Sequence, residues 1–421
     1  MNAQPAPQID LDKLLDRIGD AQYVLLGEAS HGTHEYYTWR SQISKRLILE
    51  KGFSFIAVEG DWPDCYRINR YVKGYADAGL NALEVLHTFN RWPTWMWANW
   101  EIVALTEWLR KYNQSLPYGN KIGFYGLDVY SLWESLDAMV NYLKKEDPQA
   151  ARVVERAIQC FAPYGEEGQE YAMATKYFSE SCRDELIQVL QEVRKKSLSY
   201  DHDLEASLNT EQNAIVALNA ERYYQAMVSF GAESWNIRDT HMAETLDRLV
   251  KFHGEGAKAI VWEHNTHIGD ARYTDMRHEN MVNVGQLTRE VYGEKNVVLV
   301  GFGSYEGLVI AGDAWDAPME KMIVPPAKPG SVEALLHNDG LGNQLLIFDN
   351  PEIRQRFDKK LGHRAIGVVY HPERERFGNY VATLLPSRYD AFIFLDKTQA
   401  LHPLKIHPSG HQTPETFPFG V

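Results

Sequence analysis

Positive charge is the scarcer sign in this chain: 43 Lys and Arg stand against 57 Asp and Glu, for a formal net charge of −14. A polyanionic partner finds little to grip, which argues against nucleic acid or an anionic membrane surface as ligand. Long hydrophobic runs are also missing. No segment approaches the roughly 18 apolar residues of a membrane-spanning helix. The opening stretch, MNAQPAPQIDLDKLLDRIGD, has neither the basic start nor the apolar centre of a secretory leader. The chain is therefore expected to be cytoplasmic. Cysteine is reduced to Cys65, Cys160 and Cys182, none of them in a Cys-x-x-Cys. Neither a disulfide framework nor a zinc–thiolate site is expected. Gly and Pro vanish between 169 and 230, which excludes a loop-rich segment there.

What remains is plentiful. Hydrophobic residues make up 44% of 421 residues and aromatics 12%, with 11 Trp, enough for a large core. Apolar runs recur at 22–27, 54–59, 121–127, 258–263, 297–302, 344–348 and 390–395. They are continuous rather than alternating, as in strands covered on both faces by helices. The expected fold is α/β, with a mostly parallel central sheet flanked by helices and one domain spanning 1–421. Residues about 130–250 read as a helical insertion beside the cleft, with Ala214, Ile215, Leu218, Tyr223, Ala226 and Met227 at helical spacing. The tail from 402, rich in Pro and His, reads as a surface arm.

The strand ends share one feature. The first ends in Gly27-Glu28 and reaches His31, the second ends in Glu59-Gly60-Asp61, the third in Gly126-Leu127-Asp128 and the fourth in Glu263-His264-Asn265-Thr266-His267. In a parallel sheet these ends lie along one edge, where open α/β folds bind ligands. Familiar nucleophile and phosphate motifs are absent. Gly27-Glu28-Ala29-Ser30-His31-Gly32 puts Ser30 one place off a Gly-x-Ser-x-Gly elbow, and no His-Glu-x-x-His, Gly-x-x-x-x-Gly-Lys or Gly-x-Gly-x-x-Gly occurs. A His and carboxylate cluster without a side-chain nucleophile suits activation of water, by a general-base imidazole or by a metal.

Gly27-Glu28-x-x-His31, Arg40, Glu59, Gly126-x-Asp128 and His264-Asn265-x-His267-Ile268, in that order, resemble the erythromycin esterase family. The likeness extends over nearly the whole chain, including Asp239-x-x-Met242 after the insertion. The stretches His31-Gly32-Thr33-His34-Glu35 and Tyr370-His371-Pro372-Glu373-Arg374 resemble its broad, uncharacterised branch.

The resemblance implies a central sheet with a helical section beside the cleft and hydrolysis of macrolide lactones, the basis of antibiotic resistance in characterised members. It implies His31 as the general base for water, and Glu28 and Glu59 as carboxylates that orient it. It also implies Arg40 as an arginine facing the cleft and His264 and His267 as its far wall. Asp128, Asp239 and His34 are expected as substrate-side residues, His34 as cleft wall or helix cap. No cofactor is expected, although a wider superfamily likeness leaves a divalent metal on Glu28, His31, Glu59 and His264 open. The expected partner is a small-molecule ester or lactone. Two further readings stay open: a metal-dependent hydrolase of an amide or phosphate bond, and a non-catalytic binding protein of polysaccharide biosynthesis. Among the aromatics, Trp92, Trp95, Trp97 and Trp100 are expected to pack in core and loops or to wall an apolar pocket.

Overall fold

The computed structural model describes residues 9–164, 168–178, 181–196, 204–228 and 231–404. Among the described residues ten strands run in chain order: β1 Tyr23–Leu26, β2 Phe55–Asp61, β3 Gly123–Asp128, β4 Ala259–Trp262, β5 Val297–Ala311, β6 Glu320–Val324, β7 Gln344–Ile347, β8 Leu361–Arg364, β9 Tyr380–Thr383 and β10 Ala391–Thr398. Eight form one sheet in the order β3-β2-β4-β1-β5-β10-β7, with β6 on β5. From β3 to β10 every neighbouring pair is parallel, while β7 and β6 are antiparallel additions. All seven apolar runs become strands of this sheet. Their continuous hydrophobicity reflects burial on both faces: β1, β3 and β4 are buried at every position.

One apolar cluster covers one face with Val24, Leu26, Ile56, Val58, Trp262 and Val300, and a second covers the other with Leu25, Ala57, Val261, Leu299 and Phe394. Alternate residues of each strand thus feed opposite cores.

Between β3 and β4 lie six long helices: Leu132–Glu146, Pro148–Phe161, Gly168–Phe178, Arg183–Lys196, Leu204–Met227 and Glu233–His253. They form the expected insertion and enclose a third core around Leu136, Met139, Val154, Leu186, Ala217 and Tyr223. The helix Glu233–His253 is the exception: it leans on the sheet through Met242, Leu246 and Leu249. Here the cysteine expectation is corrected in part. Cys160 and Cys182 form a disulfide with Cα atoms 5.8 Å apart, and Cys65 is free and buried. Helix pairing brings the two together, which spacing alone could not reveal. No described helix is long and apolar enough to cross a membrane. Of the tail, 402–404 are described and the remainder lies outside the described residues.

Candidate active site

The four strands that end in acids and imidazoles, β3, β2, β4 and β1, are consecutive neighbours in the sheet. Their C-terminal ends therefore meet at one edge. On β1 the chain leaves the sheet through Gly27, whose amide still bonds to the Val300 carbonyl at 2.9 Å. Glu28 follows, fully buried. Its Oε1 lies 3.0 Å from His31 Nδ1, and its Oε2 accepts from Arg40 Nη2 at 2.6 Å. Arg40 is itself buried, its guanidinium 4.5 Å from the Tyr37 ring and 4.7 Å from the Trp262 ring. Those π faces stand against a group whose Nε and Nη1 have no hydrogen-bond partner among the described residues. Tyr37 also donates its hydroxyl to the His31 carbonyl at 3.1 Å, fixing the turn. Carboxylate, guanidinium and tyrosine thus set the position of one imidazole, whose Nδ1–H donates to Glu28 and whose Nε2 is the nitrogen turned from that carboxylate.

On β2 the pairing with β3 slips between Val58 and Asp61. This bulge re-aims Glu59. Its Oε2 accepts from the His264 amide at 2.8 Å and its Oε1 from Arg238 Nη2 at 2.6 Å. Burial works to raise the Glu59 carboxyl, but His267, Arg238 and His31 outweigh it and hold it well below the usual range, so it stays ionised. Asp128, at the end of β3, receives Arg238 Nε at 3.0 Å and Nη2 at 2.8 Å. Arg238 Nη1 also lies 3.0 Å from His267 Nε2. One buried guanidinium therefore joins Glu59, Asp128 and His267.

His267 stacks on Trp235 with ring centres 4.6 Å apart, and its Nδ1 lies 2.9 Å from Asp239 Oδ1. Asp239 sits behind it, bonded also to the Val284 amide at 3.1 Å. His264 heads a short helix. The Thr266 amide donates to its Nδ1 at 3.3 Å, and the Thr266 hydroxyl lies 2.8 Å from the same nitrogen. Its Nε2 is buried with no hydrogen-bond partner of good geometry among the described residues, and the Ala29 backbone lies beside the ring. Burial and the neighbouring His31 push the His264 pKa well below normal, so the ring is neutral. Its centre lies 5.0 Å from that of His31. Glu263, just before it, is buried with both oxygens unpartnered among the described residues. Burial, reinforced by Glu59 and Asp239, raises its carboxyl well above the usual range and keeps it protonated.

The cluster opens into a narrow cavity of about 70 Å³ lined by His31, Glu59, Asp61, Asp128 and Arg238 together with Phe89, Trp92 and Trp97. The structure thus brings together Glu28, His31, Glu59, Asp128, His264 and His267, with Asp239 behind His267. Arg40 stands behind Glu28 instead of facing the cavity. His34 lies elsewhere, 2.5 Å from Glu101 on the wall of a second cavity. Trp92 and Trp97 line the main cavity, Trp95 is buried in the core and Trp100 is about half exposed beside His34. Arg238 escaped the reading of the sequence. Its signal is the Arg238-Asp239 doublet on the last helix of the insertion, and an arginine on a helix ordinarily faces solvent.

A family model for erythromycin esterase matches residues 48–398. The chain belongs to the erythromycin esterase family. Among curated relatives, a putative hydrolase of Bacillus subtilis, YbfO, is 22% identical over 94% of this chain and 88% of its own length. Erythromycin esterase type II of Escherichia coli is 23% identical over 81% of this chain and 84% of that protein. Among solved structures, a succinoglycan biosynthesis protein superposes with a TM-score of 0.75 at 23% identity, covering 93% of this chain and 92% of that one. A mutant erythromycin esterase in its open conformation gives 0.65 at 16% identity, over 93% and 95%. The fold is that of the erythromycin esterases, and membership in the family points to a hydrolase acting on a small molecule.

Proposed function

We propose that this member of the erythromycin esterase family hydrolyses a carboxylic ester, a lactone in the first instance, by direct attack of water activated by His31. One observation carries the reading. His31, on the cavity wall, is held through Nδ1 by Glu28, and Glu28 is held in turn by Arg40. An imidazole oriented by a clamped carboxylate is built to take a proton and to be stabilised as imidazolium.

In the reaction, His31 Nε2 removes a proton from water as the water oxygen bonds to the ester carbon. The carbonyl oxygen becomes an oxyanion, and neutral His264, its ring centre 5.0 Å from that of His31, is the proposed donor to it through Nε2. When the carbon–oxygen ester bond breaks, the imidazolium returns the proton to the departing alkoxide. The products are an acid and an alcohol, both on one hydroxy-acid molecule when the ester is a lactone. Ser30 takes no part as nucleophile, because its buried hydroxyl is engaged with Thr33. The aromatic wall suits an apolar ring, and Asp61 and Asp64 across the cavity suit its hydroxyl or amine groups.

The set Glu28, His31, Glu59 and His264 does not fit a divalent metal. Both oxygens of each carboxylate already accept hydrogen bonds, His264 Nδ1 is used by Thr266, and two buried guanidiniums add positive charge.

The test is a panel of esters and lactones, macrolides among them, with wild type against His31→Ala. The variant is expected to lose on the order of 10²–10⁴ in kcat/KM, the worth of a positioned general base. No acyl-enzyme burst should appear. A burst that disappears in Ser30→Ala, or full activity in His31→Ala, would overturn the proposal.

A further inference from the structure

The second cavity gathers groups that the hydrolytic cluster does not use. It lies against the first turns of the helices His34–Lys51 and Trp100–Asn113 and is lined by His34, Thr38, Trp100, Glu101 and His402. Glu101 Oε1 lies 2.5 Å from His34 Nδ1 and 2.6 Å from His402 Nδ1. The Glu101 side chain is only 5% exposed, yet its Oε2 is buried without a hydrogen-bond partner among the described residues. Two imidazoles turned on one oxygen of a carboxylate, with its second oxygen bare, are poorly explained as a hydrogen-bonded pair. A cation would satisfy all three side chains.

We propose that His34, Glu101 and His402 form a site for a divalent transition-metal ion of the zinc class, which fastens the C-terminal segment to two helix starts. Their ligand atoms all lie within 4.8 Å of one another, close enough for one small ion to bridge. Two imidazole nitrogens and one carboxylate favour zinc-like ions over magnesium or calcium, which take oxygen ligands. Three protein ligands leave at least one coordination position for water or a small ligand from the cavity.

The backbone sets these ligands in place before any ion arrives. The His34 amide donates to the Gln399 carbonyl at 2.9 Å, the Trp100 amide to the His402 carbonyl at 3.0 Å, and the Leu401 and Leu404 amides to Gly32 and Ala98 at 2.9 Å. The Gln399 amide donates to Glu35 Oε2 at 2.8 Å. Little ordering is left for binding to impose. The positive ends of the two helices oppose a cation, and Glu35 and Glu101 in their first turns offset them.

The test uses the full chain, stripped with chelator and titrated with Co²⁺ alone. The expected result is one Co²⁺ per chain with visible d–d absorption, displaced by Zn²⁺, and slower hydrogen exchange at residues 399–404 on loading. His402→Ala and the near-isosteric Glu101→Gln should each weaken binding roughly ten- to a hundredfold or more and remove the metal-dependent rise in Tm. Both should melt near stripped wild type and keep whatever hydrolysis wild type shows. His31→Ala should bind Co²⁺ as wild type does. Absence of stoichiometric binding, binding unchanged in both His402→Ala and Glu101→Gln, or binding lost in His31→Ala would overturn the proposal.

Discussion

Asp61 lines the cavity at the end of β2, and burial pushes its carboxyl up to about 7. Arg91, 3.4 Å away, pulls against the rise, and Glu134, Asp64 and Asp128 add to it. The sign of the consequence follows from proton counting. Between the ordinary value of roughly 4 and about 7, the folded chain keeps a proton that the unfolded chain has lost. Stability therefore falls as pH rises through that window. Asp61→Asn keeps the shape without the charge. Its Tm should drop less than that of wild type between pH 5 and pH 8, and it should melt higher than wild type at pH 8. Parallel Tm profiles for the two proteins would refute the assignment.

At this same scale the sequence was most legible where the site is most local. Glu28 and His31 lie on one short turn after an apolar run, and only that turn separates their side chains. His34 shows the opposite. It is as near to His31 in sequence as Glu28 is, but the helix begins at His34. The turn at His31-Gly32 and the extended Thr33 before that start send the two imidazoles to different cavities. Arg238 was illegible because its partners, Glu59 and Asp128, lie more than a hundred residues away.

Among the elements, the bulge at the end of β2 does the positioning that no motif spells out. It depends on a close approach. A Cβ on Gly126 of β3 would meet the carbonyl oxygens of Gly60 and Asp61 at 2.3 and 2.5 Å. Backbone cannot yield as a flexible side chain can, so Gly126→Ala must push the bulge away and take Glu59 with it. A destabilisation of about 1–3 kcal/mol is expected, with a fall in hydrolysis larger than the loss of folded protein explains. Denaturant melts run beside initial rates would check it, and wild-type rates in the folded variant would count against the bulge. The apolar strands β1, β3 and β4 were plain from sequence because both their faces are buried. β6, β8 and β9 were not. They are partly exposed, and β6 alternates in burial, so they carry no continuous hydrophobic signal.

Over the whole molecule, the insertion has its own core, which by itself would leave it independent of the sheet. Three ties argue otherwise. Trp62 Nε1 donates to Asn209 at 2.8 Å, Lys73 pairs with Glu205 in the interior, and Arg238 reaches across to Glu59 and Asp128. The last tie has a calorimetric consequence. If the insertion melts first, Glu59 and Asp128 lose their shared cation while still enclosed, a penalty of about 3–5 kcal/mol for a broken buried pair. Partial melting is thereby disfavoured, and the wild-type chain should unfold in one endotherm with matching calorimetric and van't Hoff enthalpies. Arg238→Ala should broaden that transition or split it, the insertion leaving ahead of the sheet; a variant endotherm superimposable on wild type would contradict this. A single guanidinium thus acts as a cooperativity switch, deciding whether two hydrophobic cores melt as one thermodynamic unit or as two.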